Sequence, residues 1–183
     1  MKGLIILANG FEDSEAIITI DLLRRAKINL DLVSLTENKS VLTSSNIYIT
    51  ADYHIDEIYM NDYDFLIIPG GKAVFNYHLE SDLTKTIVKH FMDKLALVAC
   101  ICAAPMILGR MGYLKDLDFT CFPTCEENHF GGNYLPTKEV VVANNIITSK
   151  AMGTTFVFGY EIIKYLTNEE TANKIIKSVY YKD

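Results

Sequence analysis

The sequence predicts an α/β fold in which a mostly parallel central sheet is covered by helices on both faces. Three observations carry this. Apolar runs of strand length alternate with segments that are apolar at helical spacing. The runs at 2–8, 64–68 and 95–100 are apolar nearly throughout, as strands buried on both faces are. Turn residues such as Asn9-Gly10 and Pro69-Gly70-Gly71 close the runs. With 183 residues, no repeat, no low-complexity tract and no Pro/Gly/Ser linker, the chain fits one domain spanning 1–183.

The elements follow in order. Residues 2–8 form the first strand. Residues 14–26 form an amphipathic helix with Ala16, Ile17, Ile20, Leu22 and Leu23 on its apolar side, and Asp13 or Ser14 can cap it. Residues 30–35 are a second strand, and 41–50 hold one or two short strands around a turn at 43–46. Residues 64–68 are a buried strand ending at Pro69-Gly70-Gly71. A helix over 81–92 takes Ser81 as its N-cap. A central strand over 95–100 leads into a helix over 103–111. Residues 139–143 and 146–149 flank Asn144-Asn145, a pair suited to a tight hairpin turn. Helices over 153–166 and 168–180 close the chain, with the aromatic end Val179-Tyr180-Tyr181 expected to pack on the protein or across a dimer.

Half the residues are hydrophobic and 22% are charged, the balance of a folded chain with a full core. A net charge of −6 with no basic run excludes a nucleic-acid or anionic-membrane partner. The apolar run from Leu4 to Ala8 is too short for a signal-peptide core, and Glu12, Asp13 and Glu15 follow it. No stretch approaches the roughly 20 apolar residues of a membrane span. Cys100, Cys102, Cys121 and Cys125 cluster in one quarter of the chain, so no disulfide framework is expected and the expected compartment is cytoplasmic.

In parallel folds ligands bind at the carboxyl ends of the strands. The residues in those places are 9–15, 69–72 and 101–105. The third group holds Cys102, where a buried strand turns into a helix past the small residues Ala103 and Ala104 and the helix-starting Pro105. Such an elbow lifts one side chain above the sheet, and a helix N-terminus behind a thiol favours the nucleophilic thiolate. A buried structural cysteine fits the position as well, and fits Cys100, within the strand, better. The Gly71 N–H, with that of Ala103, could form an oxyanion hole over Cys102, though Pro-Gly-Gly alone is also an ordinary turn. Glu15 at the start of the first helix is a solvated or capping residue unless it faces Cys102, where burial would keep it protonated and able to donate to a thiolate.

These pieces, in this order and spacing, resemble the ThiJ/PfpI superfamily, in the branch of the Parkinsonism-associated deglycase and the bacterial YajL-type proteins. The resemblance covers nearly the whole chain and rests on Gly10-Phe-Glu-Asp-Ser-Glu15, Asp21-Leu-Leu-Arg-Arg-Ala26, Pro69-Gly-Gly71, Ile101-Cys-Ala-Ala-Pro105 and Gly153-Thr-Thr155. It implies a flavodoxin-like three-layer sandwich of the class I glutamine amidotransferase type. It implies that Cys102 is the reactive cysteine, Glu15 the carboxyl that hydrogen-bonds to it, and Gly71 and Ala103 the oxyanion-hole donors. It also implies a homodimer with the site near the interface, and activities that range from glyoxalase and deglycase to redox-dependent chaperone, stress sensor and, in some relatives, protease. Several members carry a histidine before the proline of Thr120-Cys121-Phe122-Pro123, where this chain has Phe122. Ala151-Met152 stands where relatives often carry Gly-Pro. Gly70, Cys121, Phe122 and Ala151 are therefore candidate pocket residues.

The first departure weakens a peptidase or amidase reading, which needs a base beside the thiol. Two other readings stand. In one, Cys102 adds to a small α-oxoaldehyde such as methylglyoxal, or to a glycated adduct, and Glu15 moves protons. In the other, Cys102 is oxidised to a sulfinate in a redox sensor or chaperone, with Cys121 a candidate resolving thiol. His78 and His129 are weak candidates for the pocket rim, His54 falls in a loop, and His90 is expected to be solvated. The cysteine spacing does not match paired zinc ligands, so no metal is expected. The first strand is not followed by Gly-x-Gly-x-x-Gly, so no dinucleotide, flavin or other cofactor is expected.

Overall fold

The computed structural model describes residues 1–181. In chain order the strands are β1 (Lys2–Leu7), β2 (Asn29–Ser34), β3 (Ser40–Leu42), β4 (Tyr48–Thr50), β5 (Tyr53–His54), β6 (Phe65–Ile68), β7 (Leu97–Ile101), β8 (Asp118–Phe119), β9 (Asn133–Tyr134), β10 (Val140–Ala143) and β11 (Ile146–Ser149). The α-helices are α1 (Asp13–Arg25), α2 (Asp82–Asp93), α3 (Pro105–Arg110), α4 (Thr155–Leu166) and α5 (Glu169–Ser178).

Seven strands make one sheet in the order β10-β11-β7-β6-β1-β2-β5. Every neighbouring pair is parallel except β10 with β11, the hairpin read from Asn144-Asn145. Strand alternation sorts the apolar side chains into two cores. Ile5, Leu7, Phe65, Ile67, Ala99 and Ile101 face α1, α4 and α5. Leu4, Ile6, Leu66, Ile68, Val98 and Cys100 face α2 and α3. This is the three-layer, mostly parallel architecture expected. The chain runs from β1 to β2 on one side and then to β6 on the other, so the strand order reverses at β1, the place where ligands bind beyond the strand ends in such folds.

The details depart from the sequence reading in several places. Helix α1 begins at Asp13, with Glu12 as N-cap and no side-chain cap bond; the Glu12 N–H instead donates to the Gly70 carbonyl (3.0 Å). Backbone pairing with the neighbouring loop thus takes the place of Asp13 or Ser14 capping. Ser81 does cap α2, accepting from the Thr84 N–H (3.2 Å). Leu95 is not in the central strand: it has φ 54° in the turn that ends α2, and β7 starts two residues later. Helix α3 starts at Pro105 rather than Ala103, because residues 102–104 form the turn itself. His90 is not solvated; its ring packs edge-on to Phe91 (centroids 5.3 Å) and its Nε2 is buried without a hydrogen-bond partner. His54 lies in β5 rather than a loop and accepts the Asp56 N–H (3.3 Å). The two-residue strands β5, β8 and β9 are too short to show a period. At the C-terminal end Tyr181 stacks on Phe156 (centroids 4.6 Å), whereas Tyr180 is exposed.

Candidate active site

Three chain crossings meet at the carboxyl edge of the sheet. The β1–α1 loop brings Glu15, the β6 loop brings Gly70 and Gly71, and the end of β7 brings Cys102. The first two loops are stitched together: besides the Glu12–Gly70 bond, the Ala73 N–H donates to the Gly10 carbonyl (3.0 Å) and Phe11 pairs with Gly71. Glycine is required at Gly71, whose φ is +92°; a Cβ there would sit 2.6 Å from the Gly10 carbonyl oxygen.

Cys102 adopts φ 64°, a left-handed conformation that costs an L-residue free energy and recurs at nucleophile elbows. Surrounding bonds hold it there. Its N–H extends the β7–β11 ladder to the Ser149 carbonyl (2.9 Å), and its carbonyl accepts the Phe122 N–H (2.8 Å). The Gly71 and Ala103 N–H groups are directed at its sulfur. Two backbone N–H groups therefore lie around Cys102.

Glu15 is 1% exposed, although it is the third residue of α1. Its Oε2 accepts the Gly70 N–H (2.9 Å), and its carboxyl is paired with the Cys102 thiol. Gly70 is the spacer that permits this. A Cβ at Gly70 would stand 2.7 Å from Glu15 Oε2 and collide with the Cys102 Cβ. Burial pushes the Glu15 carboxyl up to about 7, against the pull of the Gly70 N–H and the Cys102 thiol. Cys102 is pushed up to about 12, by burial first and by the Glu15 charge second, while the Gly71 and Ala103 N–H groups pull it down. The sequence led us to expect a sulfur already ionised beside a neutral carboxyl. The structure raises the carboxyl to about 7 but raises the thiol too, because burial and the Glu15 charge outweigh the two N–H donors at the sulfur.

The two groups therefore titrate as a pair. Both protons are present below about 7; above it one proton is shared between Sγ and the carboxyl. The reactive form is the tautomer with the proton on Glu15 and the charge on sulfur, facing two N–H donors. Folding favours protonated Glu15, since its pKa of about 7 lies above its ordinary 4.5. That contribution, roughly 3 kcal/mol by the conversion of 1.36 kcal/mol per unit, is whole below pH 4.5 and lost as pH rises through 7.

A cavity of about 270 Å³ opens above the sulfur, lined by Gly71, Lys72, Phe75, Cys102, Ala103, Phe122, Thr124 and Cys125. Larger hollows exist, including one of about 570 Å³ beside Asn9, Thr36 and Tyr77, but no cysteine lines it. Chemistry, not size, selects the smaller one. Phe122 lines it as expected. Cys121 does not: it is fully buried behind the wall, and burial pushes its thiol up to about 12. Cys125, at the end of a turn closed by its N–H to the Phe122 carbonyl (3.0 Å), lines it instead. Ala151 is not among the lining residues, and Gly70 lies beneath the sulfur rather than in the wall. Phe75 went unnoticed because it lies on a wide helical turn, Val74–His78, with no regular apolar period. That turn also buries His78 away from the rim; its Nδ1 pairs with Thr84 Oγ1 (3.1 Å) and burial holds it down at about 4. None of the four histidines lines the cavity, and among the described residues no cluster of three or more His, Cys, Asp or Glu is arranged for a metal.

The DJ-1/PfpI family model matches residues 1–165. The chain belongs to this family. Protein DJ-1alpha of Drosophila melanogaster is 34% identical over 183 residues, covering 97% of this chain and 83% of its own. Protein dj-1beta of the same fly is 30% identical over 179 residues, covering 97% and 96%. Among solved structures, Toxoplasma gondii DJ-1 in its oxidized form superposes with a TM-score of 0.91 at 29% identity, covering 100% of this chain and 99% of that one. Drosophila melanogaster DJ-1beta gives a TM-score of 0.89 at 31% identity, with 98% of each chain covered. The family's fold and the one described above therefore agree along the chain, and no helix among the described residues is long and apolar enough to cross a membrane.

The coupled pair makes the pH dependence of alkylation diagnostic. The rate at Cys102 is expected to rise through a step near pH 7 in the wild type. In Glu15→Gln, which cannot hold the shared proton, the step moves up by one unit or more, and the loss of stability between pH 4.5 and 7 is smaller. An unmoved step in iodoacetamide kinetics contradicts the pairing.

Proposed function

We propose that this protein is a stress-response enzyme acting without a cofactor on small α-oxoaldehydes or glycated adducts, with Cys102 as nucleophile and Glu15 as acid and base. The observation that carries this is a buried carboxyl, raised to about 7, paired with a cysteine whose sulfur meets two backbone N–H groups. The thiolate forms a C–S bond to the aldehyde carbon, and the carbonyl electron pair moves to oxygen against the Gly71 and Ala103 N–H groups. That oxygen takes the Glu15 proton. The Glu15 carboxylate then removes the C1 hydrogen as a proton and returns it to C2 while the proton on the C1 oxygen passes to the C2 oxygen, turning the hemithioacetal into a 2-hydroxy thioester. Water hydrolyses the thioester, releasing the 2-hydroxy acid and the thiol. The net reaction is oxoaldehyde plus water to hydroxy acid. A peptidase reading is less supported, since no histidine lines the cavity to protonate an amine leaving group.

A second reading is favoured by the same donors: Cys102 oxidised by peroxide to a sulfinate, held by a protonated Glu15 and the two N–H groups, in a redox sensor or chaperone. We also propose a homodimer. Ile17, 45% exposed and two residues beyond Glu15 on α1, borders an apolar groove with Ile18, Leu22, Phe156 and Val179. Sedimentation of the intact chain reads this directly, and a monomer at micromolar concentration contradicts it.

Lactate formation from methylglyoxal is expected for the wild type and to fall at least about 100-fold in Cys102→Ser, the scale of a lost nucleophile or acid–base group. Equal rates remove Cys102 from the chemistry. After mild peroxide, mass spectrometry is expected to find two added oxygens chiefly on Cys102, suppressed in Glu15→Leu. Oxidation spread evenly over the four cysteines opposes the redox reading.

A further inference from the structure

The walls of the candidate cavity are poorly matched to the smallest oxoaldehyde. Phe75 and Phe122 are 52% and 45% exposed, yet both line the space above the sulfur. Phe122 is tied to Cys102 by the 2.8 Å backbone bond, and Phe75 stands four residues after Gly71 on the turn that follows it. The remaining wall is Gly71, Ala103, Cys125 and Thr124, with Lys72 the single cation. No amide or carboxylate side chain faces the cavity. Its volume of about 270 Å³ is just under the ~300–1,000 Å³ of sites for drug-sized ligands, a size for one ring and a two-carbon head.

These features sort substrates by their substituent. A methyl group covers little of the two phenyl faces. A polyhydroxylated chain, as on a sugar-derived adduct, gives up water hydrogen bonds against walls with few partners. A planar ring covers apolar surface that is otherwise wet and meets Phe75 and Phe122 in edge or offset contact.

Resting on the oxoaldehyde reading above, we infer that the site prefers 2-oxoaldehydes bearing an aromatic substituent, with Phe75 and Phe122 as the residues that set this preference. The ring lies along these two side chains while the aldehyde carbon faces Cys102 and its oxygen faces the Gly71 and Ala103 N–H groups. The reaction is unchanged: an aryl oxoaldehyde plus water gives the aryl 2-hydroxy acid.

The test compares kcat/KM for phenylglyoxal, methylglyoxal and hydroxypyruvaldehyde, reading mandelate, lactate and glycerate, alongside protection of Cys102 from iodoacetamide by benzoylformate or pyruvate. The wild type is expected to favour phenylglyoxal over methylglyoxal by at least about tenfold, the scale of discrimination by apolar pockets. Hydroxypyruvaldehyde is expected to be the poorest of the three, and benzoylformate to protect at lower concentration than pyruvate. Phe122→Ser and Phe75→Ser, both at half-exposed positions, are each expected to lower the phenylglyoxal-to-methylglyoxal ratio several-fold. Equal kcat/KM values, or ratios that the two variants leave unmoved, overturn the inference while the oxoaldehyde reading stands. Selective protection by benzoylformate without turnover of any oxoaldehyde overturns that reading instead and keeps the aromatic preference of the cavity.

Discussion

A carboxyl group is shut in beneath a sulfur, and most of the local structure exists to keep it there. Glu15 comes from the first turn of α1, where a carboxylate would ordinarily face water and favour the helix N-terminus. Here it turns inward, loses its hydration and accepts one backbone N–H, from Gly70. The cost of burying a charge falls to zero if the group keeps its proton, which is why its pKa rises to about 7. The proton that burial forces onto Glu15 is the one a neighbouring thiolate can use.

The surrounding fold makes that arrangement possible. The loops after the neighbouring strands β1 and β6 are joined by backbone bonds, and the β7 elbow meets them from the other side of β6. Gly70 must lack a side chain for Glu15 and Cys102 to meet across it. Cys102 is held in a left-handed conformation by a ladder bond to β11 and a bond from Phe122. Strain at one residue is thus borne by hydrogen bonds from two other elements, the usual condition for strain to persist at a functional turn.

Much of this was legible in the sequence. The buried strands showed as unbroken apolar runs, and the elbow showed because small residues and a proline follow Cys102. What was not legible came from pairing between distant segments. Nothing local says that Glu15 turns inward while Glu12 and Asp13, three and two residues earlier, stay partly exposed. The α1 cap was misplaced because the Gly70 carbonyl, 58 residues away, does the capping. Cys125 rather than the expected Cys121 faces the cavity because a turn closed by a backbone bond, not the order of residues, decides which thiol does. Phe75 and His78 sit on a wide turn whose irregular spacing hides one in the wall and the other in the core. The raised pKa of Cys102 was hidden for the same reason: burial by distant segments and the charge of Glu15 outweigh the two N–H donors at the sulfur.

One proton is held jointly by Glu15 and Cys102. Nuclear magnetic resonance titration of the Glu15 side-chain carboxyl carbon, with the Cys102 Cβ followed in the same sample, reads it without any substrate. Both signals are predicted to move together through a single step near pH 7, with the second step only in strong alkali. A Glu15 carboxyl that ionises below pH 5 with no response at Cys102 would contradict the account.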